Sequence, residues 1–313
     1  VPLKSDSHSF TTIILAAGIS KRMYTRIPKI VYKILGKPII LFVIDTAYKL
    51  NCKEIIAVVG KNCEEVRKIL GKKVKYAIQK IPRGTGDATK KGLAIATNPY
   101  ILILYGDVPL LKKETIQKMI ENHFQKRADL SVLTCELSDP TGYGRIVRDK
   151  NNNVLKIVEH IDATEKERRI KEINTGIYFG SRILISNALS NIKTNNKQKE
   201  FYLTDIVHSL IIGKEKVVGF KIGDEEQILG INTKLDLARV REIVKKRWLA
   251  ELMLKGVYIE DSTTTNIDLT VQLGKFVHIR PFTIIEGNTT IKDNKVVGPF
   301  VWIKDGKKRL LKI

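Results

Sequence analysis

The stretch TIILAAGISKRMYTRIPK, residues 12–29, frames the reading of the whole chain. Thr12 to Leu15 read as a buried strand. It breaks off at Ala16-Ala17-Gly18, where no large side chain keeps a ligand from the backbone. The following loop carries Lys21, Arg22, Arg26 and Lys29. Of these, Arg22 and Lys29 are the candidates for phosphate oxygens, Arg by its fork and Lys as a point charge. The spacing is neither a P-loop nor a GxGxxG dinucleotide turn, since Ser20 stands where a second glycine would fall.

Outward from this stretch the pattern alternates. Residues 12–17, 54–60, 74–79 and 100–106 read as strands, and 39–50, 63–70 and 86–96 as helices between them. Continuous apolar runs such as IILIL imply strands covered on both faces, hence a mostly parallel sheet with crossover helices. Ligands of such sheets bind beyond the carboxyl ends of the strands, where both LAAG and YGD stand. From about residue 129 the segments DLSVLTCEL, GRIVRD, VLKIVEH and NTGIYFG read as further strands, some antiparallel, around a polar insertion, DATEKERRIKE. Residues 201–212 and 233–256 read as helices. In the second, Leu235, Leu237, Val240, Ile243, Val244, Trp248 and Leu252 form the apolar stripe, and Gly256 is the stop.

The period then changes to six. Ile267, Leu273, Ile279, Ile285, Ile291, Val297 and Ile303 recur every sixth residue, the mark of a parallel β-helix. Little more than two coils are expected, followed by a basic tail, DGKKRLLKI. The chain divides accordingly into an α/β domain (1–232), a linker helix (233–256) and a short β-helix (257–313).

Composition narrows the class. No apolar run reaches the ~18 residues of a membrane span, and VPLKSDSHSF lacks a secretory h-region. Cys52, Cys63 and Cys135 have no metal-ligand spacing and read as reduced cytoplasmic thiols. The net charge of +22 suggests nucleic acid at first sight. Its lysines are scattered through the chain with few aromatics among them, so no specific nucleic-acid site is expected and an anionic small substrate fits better.

Two further motifs carry chemistry. Gln79 ends a strand and is followed by Gly84-Thr85-Gly86-Asp87, which enters a helix. A primary amide can donate and accept, which suits a pyrimidine edge, and a helix N-terminus favours anions. Tyr105-Gly106-Asp107 delivers a carboxylate to a strand end, where a hard divalent cation would compensate its desolvation.

These motifs, with DPTGYGRIVR (139–148), IVEHIDAT (157–164), EINTGIY (172–178), EFYLTDIV (200–207) and GINTKLDLAR (230–239), resemble the sugar nucleotidyltransferases of the pyrophosphorylase class. The fuller resemblance is to the bifunctional bacterial N-acetylglucosamine-1-phosphate uridylyltransferase and glucosamine-1-phosphate N-acetyltransferase family, over nearly the whole chain. It implies a Rossmann-like mixed-sheet domain, a long helix and the start of a left-handed parallel β-helix. It implies Leu15, Ala16, Ala17 and Gly18 along the nucleotide, Arg22 and Lys29 as catalytic cations on the phosphates, and Gln79, Gly84 and Thr85 on uracil. Tyr105 and Gly106 join the nucleotide site beside Asp107, which with Asn232 would hold Mg²⁺. Gly144, Glu159, Asn174, Tyr202 and Thr204 would line the sugar pocket.

The implied reaction takes UTP and N-acetylglucosamine 1-phosphate to UDP-N-acetylglucosamine and pyrophosphate. The alternative is a uridylyl- or thymidylyltransferase acting on another sugar phosphate such as glucose 1-phosphate. Two positions depart from the family: Ser20-Lys21 replaces Gly-Thr, and Asp87 stands where His is common. The later coils that carry the acetyltransfer site in the family are not among these residues, so acetyl transfer is not expected of them. A homotrimer through the β-helix is implied, weakened by its short length.

Overall fold

A computed structural model describes residues 8–310 except 19, 26 and 62, and gives no side chain at position 21. Arg26, one of the four loop cations, and the last three residues of the expected tail therefore lie outside the described residues. The chain forms two compact units, one of residues 1–31 and 40–230, the other of 32–39 and 231–313.

The first unit is built on a nine-stranded sheet. Phe10–Ala16 is an interior strand, parallel to Glu54–Gly60 on one side and Tyr100–Tyr105 on the other. Lys75–Gln79 extends the first side in parallel. Beyond Tyr100–Tyr105 comes Glu172–Ser181, antiparallel both to it and to Leu130–Glu136. Val217–Ile222 then adds a parallel edge, and Arg145–Arg148 and Val154–Val158 form a hairpin against Glu172–Ser181. The mixed sheet expected from the sequence is thus present.

Strand order turns in opposite directions from Phe10–Ala16, so a crevice opens beyond the carboxyl ends of this strand and Tyr100–Tyr105. Both faces of the sheet are covered. Ile14 and Ala16 belong to one apolar cluster, Ile13 and Leu15 to the other, as strand alternation requires.

Several elements differ from the sequence reading. The helix Lys113–Gln125, where the pattern above places none, buries Ile116, Met119, Ile120 and His123 at helical spacing. The polar insertion contains a short helix, Glu165–Arg168, held by a capping box between Thr164 and Glu167. The expected helix over 201–212 begins only at Asp205, because Phe201 and Leu203 give their backbone hydrogen bonds to the 83–86 loop instead.

In the second unit, helix Lys234–Leu254 starts at a Thr233–Asp236 capping box and buries Val240, Val244, Leu249 and Leu252. Leu235, expected on the apolar stripe, is 80% exposed. The hexad pattern forms the start of a parallel β-helix. Tyr258–Ile259, His278–Ile279 and Val296–Val297 stack on one face, Asn266–Ile267, Thr283–Glu286 and Val301–Lys304 on the second, Gln272–Leu273 and Thr290–Ile291 on the third. Ile267, Ile279, Ile285, Val297 and Ile303 are buried along its axis.

The expected basic tail is instead a strand in its described part. Asp305 and Gly306 turn the chain with φ +48° and +75°, and Lys307–Leu310 pairs antiparallel with Val301–Lys304. Among the described residues, no helix is long and apolar enough to cross a membrane.

Candidate active site

The crevice at the strand ends holds the charged centre of the first unit. The Gly106 N–H donates to Leu15 O at 2.9 Å, so Ala16 and Asp107 leave the sheet side by side. A Cβ on Gly106 would meet Ile40 at 2.9 Å and Leu15 O at 3.3 Å, which explains a glycine there. Asp107 forms an ion pair with Lys29, both side chains about 15% exposed (14% and 16%). The Lys29 backbone N–H donates to Ser20 Oγ at 2.8 Å, which ties the ion pair to the turn after Gly18. Arg22 lies in that turn, Lys21–Met23, and is exposed.

A cavity of about 310 Å³ lies at the ends of strands Phe10–Ala16, Glu54–Gly60 and Lys75–Gln79, lined among others by Ala16, Ala17, Gly18, Pro28, Gly60 and Gln79. A Cβ on Gly18 would meet nothing within 4 Å. Leu15, by contrast, buries its side chain in the core and gives its carbonyl to Gly106.

Gln79 closes one side of the cavity. Its Nε2 donates to Asp87 Oδ2 at 2.8 Å and to Gly84 O at 3.0 Å. The expectation that this amide both donates and accepts toward a base is therefore corrected: both donors are engaged within the protein, and among the described residues nothing donates to Oε1. The glycines of the Gly84-Thr85-Gly86 loop have a packing cause. A Cβ on Gly84, at φ +104°, would lie 2.5 Å from Phe201 O, and one on Gly86 would lie 3.0 Å from the same atom. Gly86 N–H donates to Phe201 O, and Phe201 N–H to Arg83 O, both at 2.8 Å. These glycines admit a neighbouring backbone segment. Thr85 Oγ1 accepts from Leu203 N at 3.1 Å, joining the same two loops.

The five expected sugar-pocket residues lie in this unit, and four of them adjoin directly. Thr204 Oγ1 donates to Glu159 Oε1 at 3.1 Å, and Asn174 N–H to Gly144 O at 2.9 Å. A Cβ on Gly144 would sit 3.4 Å from Glu159 Oε2. Burial raises the Glu159 carboxyl above its ordinary range, with Asp205 and Asp162 adding to the rise and the Thr204 hydrogen bond opposing it. Tyr202 is buried and donates to Gln198 Oε1 at 3.0 Å.

Asn174 stands at a register shift between strands Glu172–Ser181 and Leu130–Glu136. Its Nδ2 donates to the Tyr178 hydroxyl at 2.8 Å, and its Oδ1 accepts from Gly176 N at 3.0 Å. The sequence reading misses Tyr178 and Gly176. At φ +81°, Gly176 lets the Tyr105 ring pack against backbone, where any Cβ would collide. Its signal is the glycine in the middle of a strand. Burial and the nearby Glu159 raise the Tyr105 hydroxyl, against a hydrogen bond from Thr85.

Asn232 belongs to the second unit, where its backbone N–H donates to Asp236 Oδ2 at 3.0 Å. Among the described residues, no cluster of three or more His, Cys, Asp or Glu could hold a metal ion.

Residues 12–171 match the family described as MobA-like NTP transferase domain. The bifunctional protein GlmU of Caldanaerobacter subterraneus subsp. tengcongensis is 40% identical over 289 residues, 92% of this chain and 63% of that relative. The chain thus spans less than two thirds of its length. Among solved structures, a protein of Bacillus anthracis assigned as a glucose-1-phosphate thymidylyltransferase, in complex with sucrose, superposes with a TM-score of 0.62 at 20% identity. That match covers 75% of this chain and 95% of the other. A UDP-glucose pyrophosphorylase complexed with UDP-glucose gives 0.58 at 18% identity over 75% and 99%. At such identities these two structures share the fold.

Proposed function

The chain belongs to the MobA-like NTP transferase family, and from that premise we propose that it is a Mg²⁺-dependent uridylyltransferase. It joins UTP to N-acetylglucosamine 1-phosphate and releases pyrophosphate. The observation that carries this reading is the Lys29–Asp107 pair at the sheet crevice, beside the cavity lined by Ala16–Gly18 and Gln79. A cation already compensates Asp107 there, and a carboxylate so placed fits a hard divalent ion. Mg²⁺ takes one or two protein carboxylates and completes its shell with water and substrate phosphates, so the absence of a three-ligand cluster among the described residues agrees with it.

In this reading the sugar-phosphate oxygen attacks the α-phosphorus of UTP in line. The bond from that phosphorus to the β-phosphate oxygen breaks, and pyrophosphate departs with the electron pair. A phosphate monoester is already an anionic nucleophile, so no general base is needed. Lys29 and Arg22 supply positive charge to the phosphates, while Glu159, Asn174 and Thr204 orient the sugar. Bound Mg²⁺ would neutralise triphosphate charge at Asp107.

Gln79 Oε1 can accept from the ring N3–H of uracil and thymine alike, so a thymidylyltransferase or a glucose 1-phosphate preference is the second reading. Pyrophosphate release measured over a panel of UTP and dTTP against N-acetylglucosamine 1-phosphate and glucose 1-phosphate separates the two. No release from any pair by folded protein would overturn both. Assembly into a trimer through the β-helix is part of the proposal, and sedimentation of the purified chain checks it.

A further inference from the structure

Asp87 lies in the first turn of helix Thr85–Leu93 and has no assigned role in the phosphate or sugar sites just described. Its contact is with the base-side amide. Gln79, 5% exposed, places Nε2 at 2.8 Å from Asp87 Oδ2 and 3.0 Å from Gly84 O. A carboxylate oxygen and a backbone carbonyl oxygen are acceptors. The amide orientation is therefore dictated by its partners: a flipped amide would set Oε1 against two other oxygens and leave Nε2 pointing away. Among the described residues nothing donates to Oε1, and Gln79 lines the cavity.

We propose that Asp87 is a positioning residue that sets base selectivity by locking the Gln79 amide with its acceptor toward the nucleotide cavity. The inference rests on the reading of that cavity as the nucleotide site. Its chemical consequence is specific. The ring N3 is a donor in uracil and thymine and an acceptor in cytosine. A locked acceptor opposite N3 pairs with the first two and faces a lone pair in the third. A site whose buried polar group would be left unpaired rejects the wrong ligand far more strongly than one that merely misses a contact. A residue able to meet Gln79 with either a donor or an acceptor weakens the lock, because a flipped amide then faces only Gly84 O as an unfavourable partner.

The test compares kcat/KM for UTP, dTTP and CTP in the wild type and in Asp87→Asn, with nucleotide affinities from isothermal titration as a second readout. Asp87→Asn is expected to lower the UTP-to-CTP ratio at least about tenfold, chiefly through KM, with dTTP moving in step with UTP. A merely structural role would depress all three nucleotides in parallel and leave the ratio unchanged, and that result overturns the proposal. Asp87→Ala, which leaves Gly84 O as the remaining acceptor, is expected to give a smaller drop in the ratio and serves where Asp87→Asn does not fold. Wild-type protein that binds no nucleotide defeats the nucleotide-site reading itself. Wild type that prefers UTP, with an unchanged ratio in both variants, defeats only the role of Asp87.

Discussion

Lys29 and Asp107, 78 positions apart, form an ion pair across the ends of two adjacent parallel strands. The pair joins the first loop of the chain to the carboxylate at the next strand end, and Ser20 Oγ braces it from the backbone side. In a half-buried site each charge is held in place by the other, so the crevice is charged and ordered before any phosphate arrives.

Asp107→Asn removes the anion and leaves Lys29 without its partner in the pair. Pyrophosphate release from UTP and sugar phosphate is expected to fall by about 100-fold or more, with circular dichroism unchanged. Full turnover at ordinary Mg²⁺ would contradict the assignment of Asp107.

Gly176→Ala puts a methyl group into the Tyr105 ring at a backbone φ of +81°. Strain and overpacking together are expected to cost about 2–4 kcal/mol, read as a lowered urea midpoint. Loss of sugar-phosphate affinity should accompany it, because Gly176 N–H also orients Asn174.

His123 is buried among Tyr100, Phe124 and Phe179, with Ser131 Oγ at 3.0 Å. Burial lowers its pKa from 6.5 to about 4, against the opposing pull of Asp129. Between those values the unfolded chain binds the proton first, so stability falls as pH drops from 6.5 toward 4. The loss from this residue is expected to reach about 3 kcal/mol. Urea unfolding across that range should show a shallower pH slope in His123→Leu than in the wild type.

Glu159 works in the opposite direction. Its raised folded pKa, caused first by burial, means the native state holds the proton longer than the unfolded chain does. Stability is therefore lost as pH rises upward from the ordinary Glu value of 4.5 through the raised one. Glu159→Gln is expected to abolish that part of the decline, seen as a flatter Tm against pH above 4.5, and to weaken sugar-phosphate binding.

Ile285→Ala empties a fully buried position between neighbouring coils of the β-helix. The expected cost is about 2–5 kcal/mol, measured by denaturant unfolding of the purified chain. A change under 1 kcal/mol would mean that the aliphatic column is not what holds the coils together.

Much of the fold is legible in residue order because it rests on short-range periods. The strand ending at Ala16, the apolar run before Asp107 and the six-residue recurrence from Ile267 to Ile303 each declare their element by spacing alone. The helix Lys113–Gln125 carries an equally regular stripe, so its signal lies in the sequence too. Leu235 shows the converse: it fits the helical period yet faces water, because periodicity says which residues share a face and not how far the covering partner extends.

The sequence by itself determined the class of fold and the strand-end position of the charged loop, since backbone preference and hydrophobic period act over a few residues; the sugar-pocket candidates came from the family resemblance alone. Only the tertiary structure decided which polar atoms remain open. Gln79 spends its donors on Asp87 and Gly84, Thr85 meets Leu203 from 118 positions away, and Gly84 and Gly86 make room for Phe201. Hydrogen-bond capacity is finite and is shared among whatever groups folding brings together, so what a side chain can still offer a ligand is known only once its neighbours are in place.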